Sequence, residues 1–213
     1  MRSYKTLLQP GSSTEIIQKS RFISLACGVQ EEQAVAEVLK AQKALYPDAT
    51  HHCYAYILGE DGNTARFQDD GEPSGTAGMP ILEVLRKWEL TNVLVVITRY
   101  FGGTLLGTGG LVRAYAGGTA AALSNAAVAE MVPSTAYLCE TDYSRYARLE
   151  AFFKQSDYLQ LLDVTFSDKI QAHCMARTSD AQRLAEDIAA RTDGQARLTE
   201  TEIKYYPWPQ GKI

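Results

Sequence analysis

Arg99-Tyr100-Phe101-Gly102-Gly103-Thr104-Leu105-Leu106-Gly107-Thr108-Gly109-Gly110-Leu111-Val112-Arg113-Ala114-Tyr115 is the stretch on which the fold turns. It follows the most apolar run of the chain, Val93 to Thr98, which reads as a buried strand. It leads into an alanine-rich segment that predicts a long helix from about Gly109 to Ala127. A strand feeding a helix through glycines belongs to a mixed α/β chain. Five glycines in the nine positions from Gly102 to Gly110 imply special backbone angles or the close approach of a partner. Gly117, Gly118, Ala121 and Ala122 then give the helix a face without bulk, suited to lying close on a sheet.

Upstream, residues 14–18 and 21–29 alternate as two strands about Lys19-Ser20 and predict a hairpin. A helical stripe of Ala34, Val35, Val38, Leu39 and Leu45 follows and stops before Pro47. Strands at 53–58 and 64–68 flank the turn-prone Gly59-Glu60-Asp61-Gly62-Asn63. Pro80 suits the first position of a helix carrying Ile81, Leu82, Leu85 and Trp88. Pro133 and Ser134 mark the expected boundary between a domain at 1–132 and one at 133–213. Beyond it come a strand at 135–141, a helix at 143–156, strands at 158–166 and 170–177, a helix at 180–192 and a strand at 196–205. Tyr146, Leu149 and Phe153 line the first of these helices, and Ala181, Leu184, Ala185 and Ile188 the second, with Thr178-Ser179-Asp180 as its capping candidates. The order βαββαβ is ferredoxin-like.

At 213 residues, 46% apolar and 22% charged, the composition is that of a globular protein. No apolar run reaches the length of a membrane span, and Met1 to Pro10 does not read as a secretory segment, so the expectation is a cytoplasmic protein with no membrane partner. Cys27, Cys53, Cys139 and Cys174 form no close pair and are expected to be buried, reduced thiols. The net charge of −4 argues against strong, nonspecific nucleic-acid binding and gives no sign of DNA specificity, so any nucleic-acid contact needs a local cluster.

Two glycine-rich segments are the candidate site. In the first, Gln68 to Pro80, orphan N–H groups at a helix entry, with Ser74, Gly75 and Thr76, suit an anion, but Asp69, Asp70 and Glu72 beside Gly71 repel a bare phosphate. Three readings stay open: the carboxylates accept turn N–H groups or pair with Arg66, Arg99 or Arg113, they contact a partner, or they hold a magnesium-like ion. In the second segment Thr108, Gly109 and Gly110 offer donors, Arg99 and Arg113 supply charge, and Tyr100 and Phe101, beside Gly102 and Gly103, are stacking candidates of which one is expected in the core. Neither segment is a P-loop or a dinucleotide fingerprint. His51 and His52 point opposite ways on an extended chain, so they do not share one ion, and His173 reads as structural. No catalytic residue, resident metal or cofactor is assigned.

Ala49-Thr50-His51-His52-Cys53-Tyr54-Ala55, Asp69 through Gly78, Arg99 through Gly103 and Leu106 through Tyr115, in that order, make the chain resemble the IMPACT family over roughly residues 15–130, as a bacterial two-domain member. The resemblance implies an N-terminal domain like a small-subunit ribosomal protein domain and the related GHMP-kinase fold, followed by a ferredoxin-like domain similar to one in elongation factor G. It also implies a translation-associated role, because eukaryotic relatives act in translational control through protein partners around the ribosome. The first reading is thus a regulatory protein that binds RNA, the ribosome or a translation-related protein. Two others stand beside it: a protein-interaction module without nucleic acid, and a magnesium-dependent enzyme for a phosphorylated small molecule.

Overall fold

The computed structural model describes residues 2–208, and its elements follow the alternation of the sequence. After strand β1 (Tyr4–Gln9), strands β2 (Gly11–Ile17) and β3 (Ser20–Gly28) form an antiparallel hairpin from Gly11↔Ala26 to Ile17↔Ser20. Gln18 and Lys19 make its turn at φ 45° and 67°, the left-handed pair that suits the twist of a two-residue hairpin. Helix α1 (Glu32–Leu45), strands β4 (His51–Leu58) and β5 (Thr64–Gln68), helix α2 (Gly78–Lys87), strand β6 (Val93–Tyr100) and helix α3 (Gly107–Ser124) follow.

These strands assemble in the order β2-β3-β6-β4-β5, antiparallel at every pairing. Helices cover both faces. On one, α2 and α3 enclose Phe22, Cys53, Ala55, Val95 and Ile97 with Ile81, Leu85 and Tyr115; on the other, α1 places Val35 against Tyr56, Leu58, Leu94 and Val96. The central strand β6 is therefore buried on both sides from Val93 to Arg99, which is why it reads as an unbroken apolar run. Each large side chain buried here contributes about 1.5–3 kcal/mol.

Several expected details shift. Pro80 is the third residue of α2 rather than the first, because Ala77 caps the helix and Gly78 opens it. Leu45 ends the α1 stripe exposed. Helix α3 starts at Gly107 and stops at Ser124, and residues 127–141 continue as one long strand, β7 (Ala127–Thr141). Pro133 does not break it: Pro133 immediately precedes Ser134, the first residue paired with the neighbouring strand β9, so its missing N–H takes no rung from that ladder. Gly118 meets the sheet, with a Cβ placed 2.6 Å from Ser24 Oγ, whereas Gly117 faces open space.

The chain separates into two compact units, Arg2–Glu130 and Met131–Pro207. Residue 1 and residues 209–213, counted in the expected domains, lie outside the described residues. In the second unit β7 is followed by α4 (Tyr143–Gln155), β8 (Leu159–Phe166), β9 (Ile170–Arg177), a 3₁₀ turn (Thr178–Asp180), α5 (Ala181–Thr192) and β10 (Arg197–Trp208). The strands of this unit run in the order β10-β7-β9-β8, within a five-stranded sheet that also holds β1, and with two helices they are ferredoxin-like. Asp142 caps α4 through Arg145 N–H, and Tyr146, Leu149 and Phe153 are its buried face. Helix α5 buries Leu184, Ile188 and Thr192, while Ala185 is exposed. Its expected side-chain cap is absent, because Thr178–Asp180 curl into the 3₁₀ turn. His173 is exposed on β9, and all four cysteines are free, Cys27 being the one not fully buried. Among the described residues no helix is long and apolar enough to cross a membrane.

The two adjacent helix glycines separate by mutation. Gly117→Ala should raise stability in urea unfolding by about 0.5–1 kcal/mol, since it lowers unfolded-state entropy without a clash. Gly118→Val should lower it by about 1–3 kcal/mol, because the added carbons enter the space of Ser24 and Ile97.

Candidate functional site

The two glycine-rich segments come together on the α2/α3 side of the first sheet, around a buried ion pair. Residue alternation along β6 turns Arg99 to the same face as Val95 and Ile97, where its side chain is only 5% exposed. Arg99 Nη1 donates to Glu72 Oε1 at 2.6 Å, and Nη2 donates to Ser20 Oγ at 3.1 Å. The guanidinium carbon lies 5.2 Å from the centre of the Phe22 ring and 5.6 Å from that of Phe101, within cation–π range of both. Its Nε–H finds no acceptor.

Glu72 gathers the rest. Tyr115 Oη donates to Glu72 Oε1 at 2.7 Å, and Cys53 Sγ lies 3.3 Å from Tyr115 Oη and 2.9 Å from the Asp69 carbonyl oxygen. Burial pushes both the Cys53 thiol and the Tyr115 phenol well above their ordinary pKa values, which favours the protonated form of each. His51 Nδ1 lies 2.8 Å from the Asp70 carbonyl oxygen. A carbonyl only accepts, so Nδ1 carries a proton, and Nε2 is left 3.9 Å from Glu72 Oε1.

The first glycine-rich loop supplies its own anion. Asp69 Oδ2 accepts from Gly75 N–H at 2.8 Å, and Oδ1 accepts from Ala77 and Gly78 N–H at 3.1 and 2.8 Å. Two donors at the entry of α2, those of Ala77 and Gly78, are thus taken by a side chain of the same loop. Asp70, at φ 44°, accepts from His52 N–H at 2.7 Å, and Thr76 Oγ1 donates to the Pro73 carbonyl. Among the described residues no three His, Cys, Asp or Glu side chains converge as a metal site.

The second loop leaves its helix open. Helix α3 has no side-chain cap and no acidic residue in its first turn. Leu105, Leu106, Gly107, Thr108 and Leu111 line a pocket of about 380 Å³ together with Thr50, His51, Glu72, Pro73, Arg99 and Phe101. Phe101 is 45% and Leu105 84% exposed, so the pocket has an apolar lip over a charged floor. Gly102 holds the loop down: a Cβ there would stand 2.1 Å from the Lys19 carbonyl carbon, and Gly102 N–H donates to Ser20 Oγ.

The expected residues therefore divide. His51, Glu72, Arg99, Phe101 and Thr108 line the pocket, while Gly102, Gly109 and Gly110 belong to the loop and helix end beside it. Arg113 is exposed, with Nη1 3.6 Å from where a Cβ of Gly109 would stand. Asp69, Asp70, Gly75 and Thr76 are engaged within the first loop, and Gly71, Ser74 and Gly103 are exposed. Arg66 lies apart, exposed on β5 and paired with Glu32 of α1 at 3.2 Å. Neither expected stacking residue is core: Tyr100 is half-buried under Arg21, 4.3 Å from its ring centre, and Phe101 is exposed. His52 turns to the opposite side of β4, where Nδ1 meets Thr98 Oγ1 at 3.1 Å. Ser20, Thr50, Cys53, Pro73, the leucines and Tyr115 were not assigned a site role from sequence. Leu105-Leu106 inside a glycine-rich run is the one signal that marks an exposed apolar lip, and the polar hairpin turn gives none for Ser20.

Two measurements check this description. Glu72→Ala and Arg99→Ala should each cost about 3–5 kcal/mol in unfolding free energy by stranding the partner group, and Glu72→Leu combined with Arg99→Met should cost far less than the sum. For His52, burial outweighs the opposing pull of Asp70 and holds the imidazole below its ordinary 6.5. The folded state therefore resists its protonation, and this contribution, full above pH 6.5, is lost as pH falls below that value. Melting temperature should fall correspondingly on acidification, and His52→Gln should flatten that segment of the profile.

The Impact N-terminal domain model matches residues 18–123, and a domain of unknown function, DUF1949, matches residues 139–195. The chain is 35% identical to the IMPACT family member YvyE of Bacillus subtilis, over 96% of this chain and 94% of that protein. It is 38% identical to the IMPACT family member YigZ of Escherichia coli, over 74% and 78% respectively. A solved structure described as that of a hypothetical protein superposes with a TM-score of 0.61 at 32% identity, covering 95% of this chain and 98% of its own. With the first match spanning both glycine-rich loops and near full-length similarity to YvyE, this chain belongs to the IMPACT family.

Proposed function

We propose that the protein is a translation-associated regulatory protein that docks a ribosomal or other translation-related protein partner on the pocket at the head of α3. The observation that carries this reading is the apolar lip, Phe101 and Leu105, standing over a floor whose charge is already internally matched. Exposed aromatic and aliphatic anchors at the mouth of a pocket are the usual energetic centre of a protein interface. The translational setting comes from the family resemblance.

The same geometry ranks the alternatives. A site for RNA phosphates needs several free cations, but of the two arginines of the second loop Arg99 is enclosed and spends its charge on Glu72, which leaves Arg113 alone exposed. A magnesium site at the first loop needs carboxylate oxygens, but those of Asp69 accept three backbone N–H groups and Asp70 holds His52 N–H. A protein partner needs neither.

A crosslinking pull-down from native lysate, with and without nuclease, tests this. The expected result is a ribosomal or translation-factor partner whose recovery survives nuclease and falls at least about tenfold in a Phe101→Ala, Leu105→Ser variant. Recovery abolished by nuclease, or unchanged in the variant, overturns the assignment.

A further inference from the structure

His51 stands on the wall of the pocket with its side chain 16% exposed, and its two ring nitrogens have different surroundings. Nδ1–H donates to the Asp70 carbonyl oxygen at 2.8 Å, so the neutral ring carries its lone pair on Nε2. A Cβ on Gly71 would stand 3.4 Å from Nδ1 and 3.6 Å from Cε1, which places that edge of the ring against the first loop. The opposite edge, Nε2 and Cδ2, is the one left for the pocket. Among the described residues Nε2 takes no hydrogen bond, and Glu72 Oε1, 3.9 Å away, is itself an acceptor. Nor is Nε2 shut in. The unpartnered side-chain atoms that the fold encloses are Ser24 Oγ, Arg99 Nε and Thr141 Oγ1, and it is not one of them.

An acceptor in this setting is selective. An anion would set its own lone pairs against Nε2 and the Glu72 carboxylate. A cation would need unmatched negative charge, but Glu72 is matched by Arg99, and the open end of α3 on the same wall is positive. A neutral N–H or O–H meets neither objection. Its carrier must also suit about 380 Å³ walled by Pro73, Phe101, Leu105, Leu106 and Leu111. The indole of tryptophan and the phenol of tyrosine combine an apolar ring with one donor at its edge.

We propose that His51 is the specificity-determining residue of this pocket, its Nε2 accepting a hydrogen bond from the N–H or O–H of an aromatic side chain seated among those walls. That the ring belongs to a protein partner rests on the docking reading; the acceptor stands on the geometry of the histidine.

The test titrates the full chain, its imidazoles neutral, with N-acetyl-tryptophanamide and its 1-methylindole analogue, and with N-acetyl-tyrosinamide and its O-methyl ether. Calorimetry and the imidazole signals of protein labelled with ¹⁵N-histidine are the readouts. Each donor-bearing probe should bind saturably, at least about fivefold more tightly than its methylated counterpart. It should also move the His51 Nε2 signal, which the methylated probes leave in place. Two variants separate the roles of the ring. His51→Asn offers an amide N–H where Nδ1–H stands and nothing at Nε2, so it should keep the Asp70 contact and bind parent and methylated probes alike. His51→Gln reaches the Nε2 position with a side-chain carbonyl and should restore the preference.

Equal binding of parent and methylated probes by the unaltered chain, no binding of any probe, or a preference that survives in His51→Asn overturns the assignment. The comparison on the unaltered chain holds whether or not either variant folds. If the preference is absent while partner capture through Phe101 and Leu105 persists, this inference falls and the docking reading survives. If the preference holds and no partner is captured, the acceptor stands and the docking reading falls.

Discussion

The contact between Arg99 and Glu72 is the constraint around which the first unit is arranged. A guanidinium on the face of the central strand is tolerable only if the structure brings it a carboxylate, and Glu72 arrives from the loop before α2 to do so. That loop must then be held in place. Asp69 locks it to the start of α2, Asp70 locks it to the β4 backbone, and His51 reaches the carbonyl of Asp70. Tyr115 adds α3 to the same carboxylate oxygen, and Ser20 ties in the hairpin turn. Five separate pieces of chain thus meet at one charge pair, with few degrees of freedom left among them.

This arrangement explains how a segment rich in acids can border the pocket without presenting a field of negative charge. Each carboxylate of the first loop is committed to a donor inside the protein. What remains open is the uncapped end of α3. The two glycine-rich loops are therefore unequal in role, the first a framework and the second a surface.

Element type was legible wherever one period dominated. The hairpin at β2 and β3, the buried run at β6 and the βαββαβ order of the second unit all follow from alternation and helical stripes. The order β2-β3-β6-β4-β5 was not legible, because pairing between β3 and β6 joins residues far apart and leaves no local pattern. The site was legible as two loops but not as an ion pair. Three carboxylates and three arginines allow many pairings, and only the β6 alternation, combined with the path of the 69–78 loop, selects Glu72 with Arg99. Ser20 and Tyr115 look like ordinary turn and helix residues until that pairing exists. Ala185 and Leu45, apolar and in phase with their stripes, are nonetheless exposed, because each helix buries a narrower strip than its sequence offers.

The place of β6 also bears on how the chain acquires its shape. Strands β3 and β4 do not pair with each other; both pair with β6, which lies later in sequence than either. As the polypeptide leaves the ribosome, the β2–β3 and β4–β5 hairpins can close locally, but each keeps an open edge until residues 93–100 emerge. Loop-closure entropy then makes joining them the slow event of folding, and the interval before it is when unpaired edges are exposed to other nascent chains. The apolar character of β6 accordingly serves assembly as well as the finished core, since its insertion joins the two halves of the sheet.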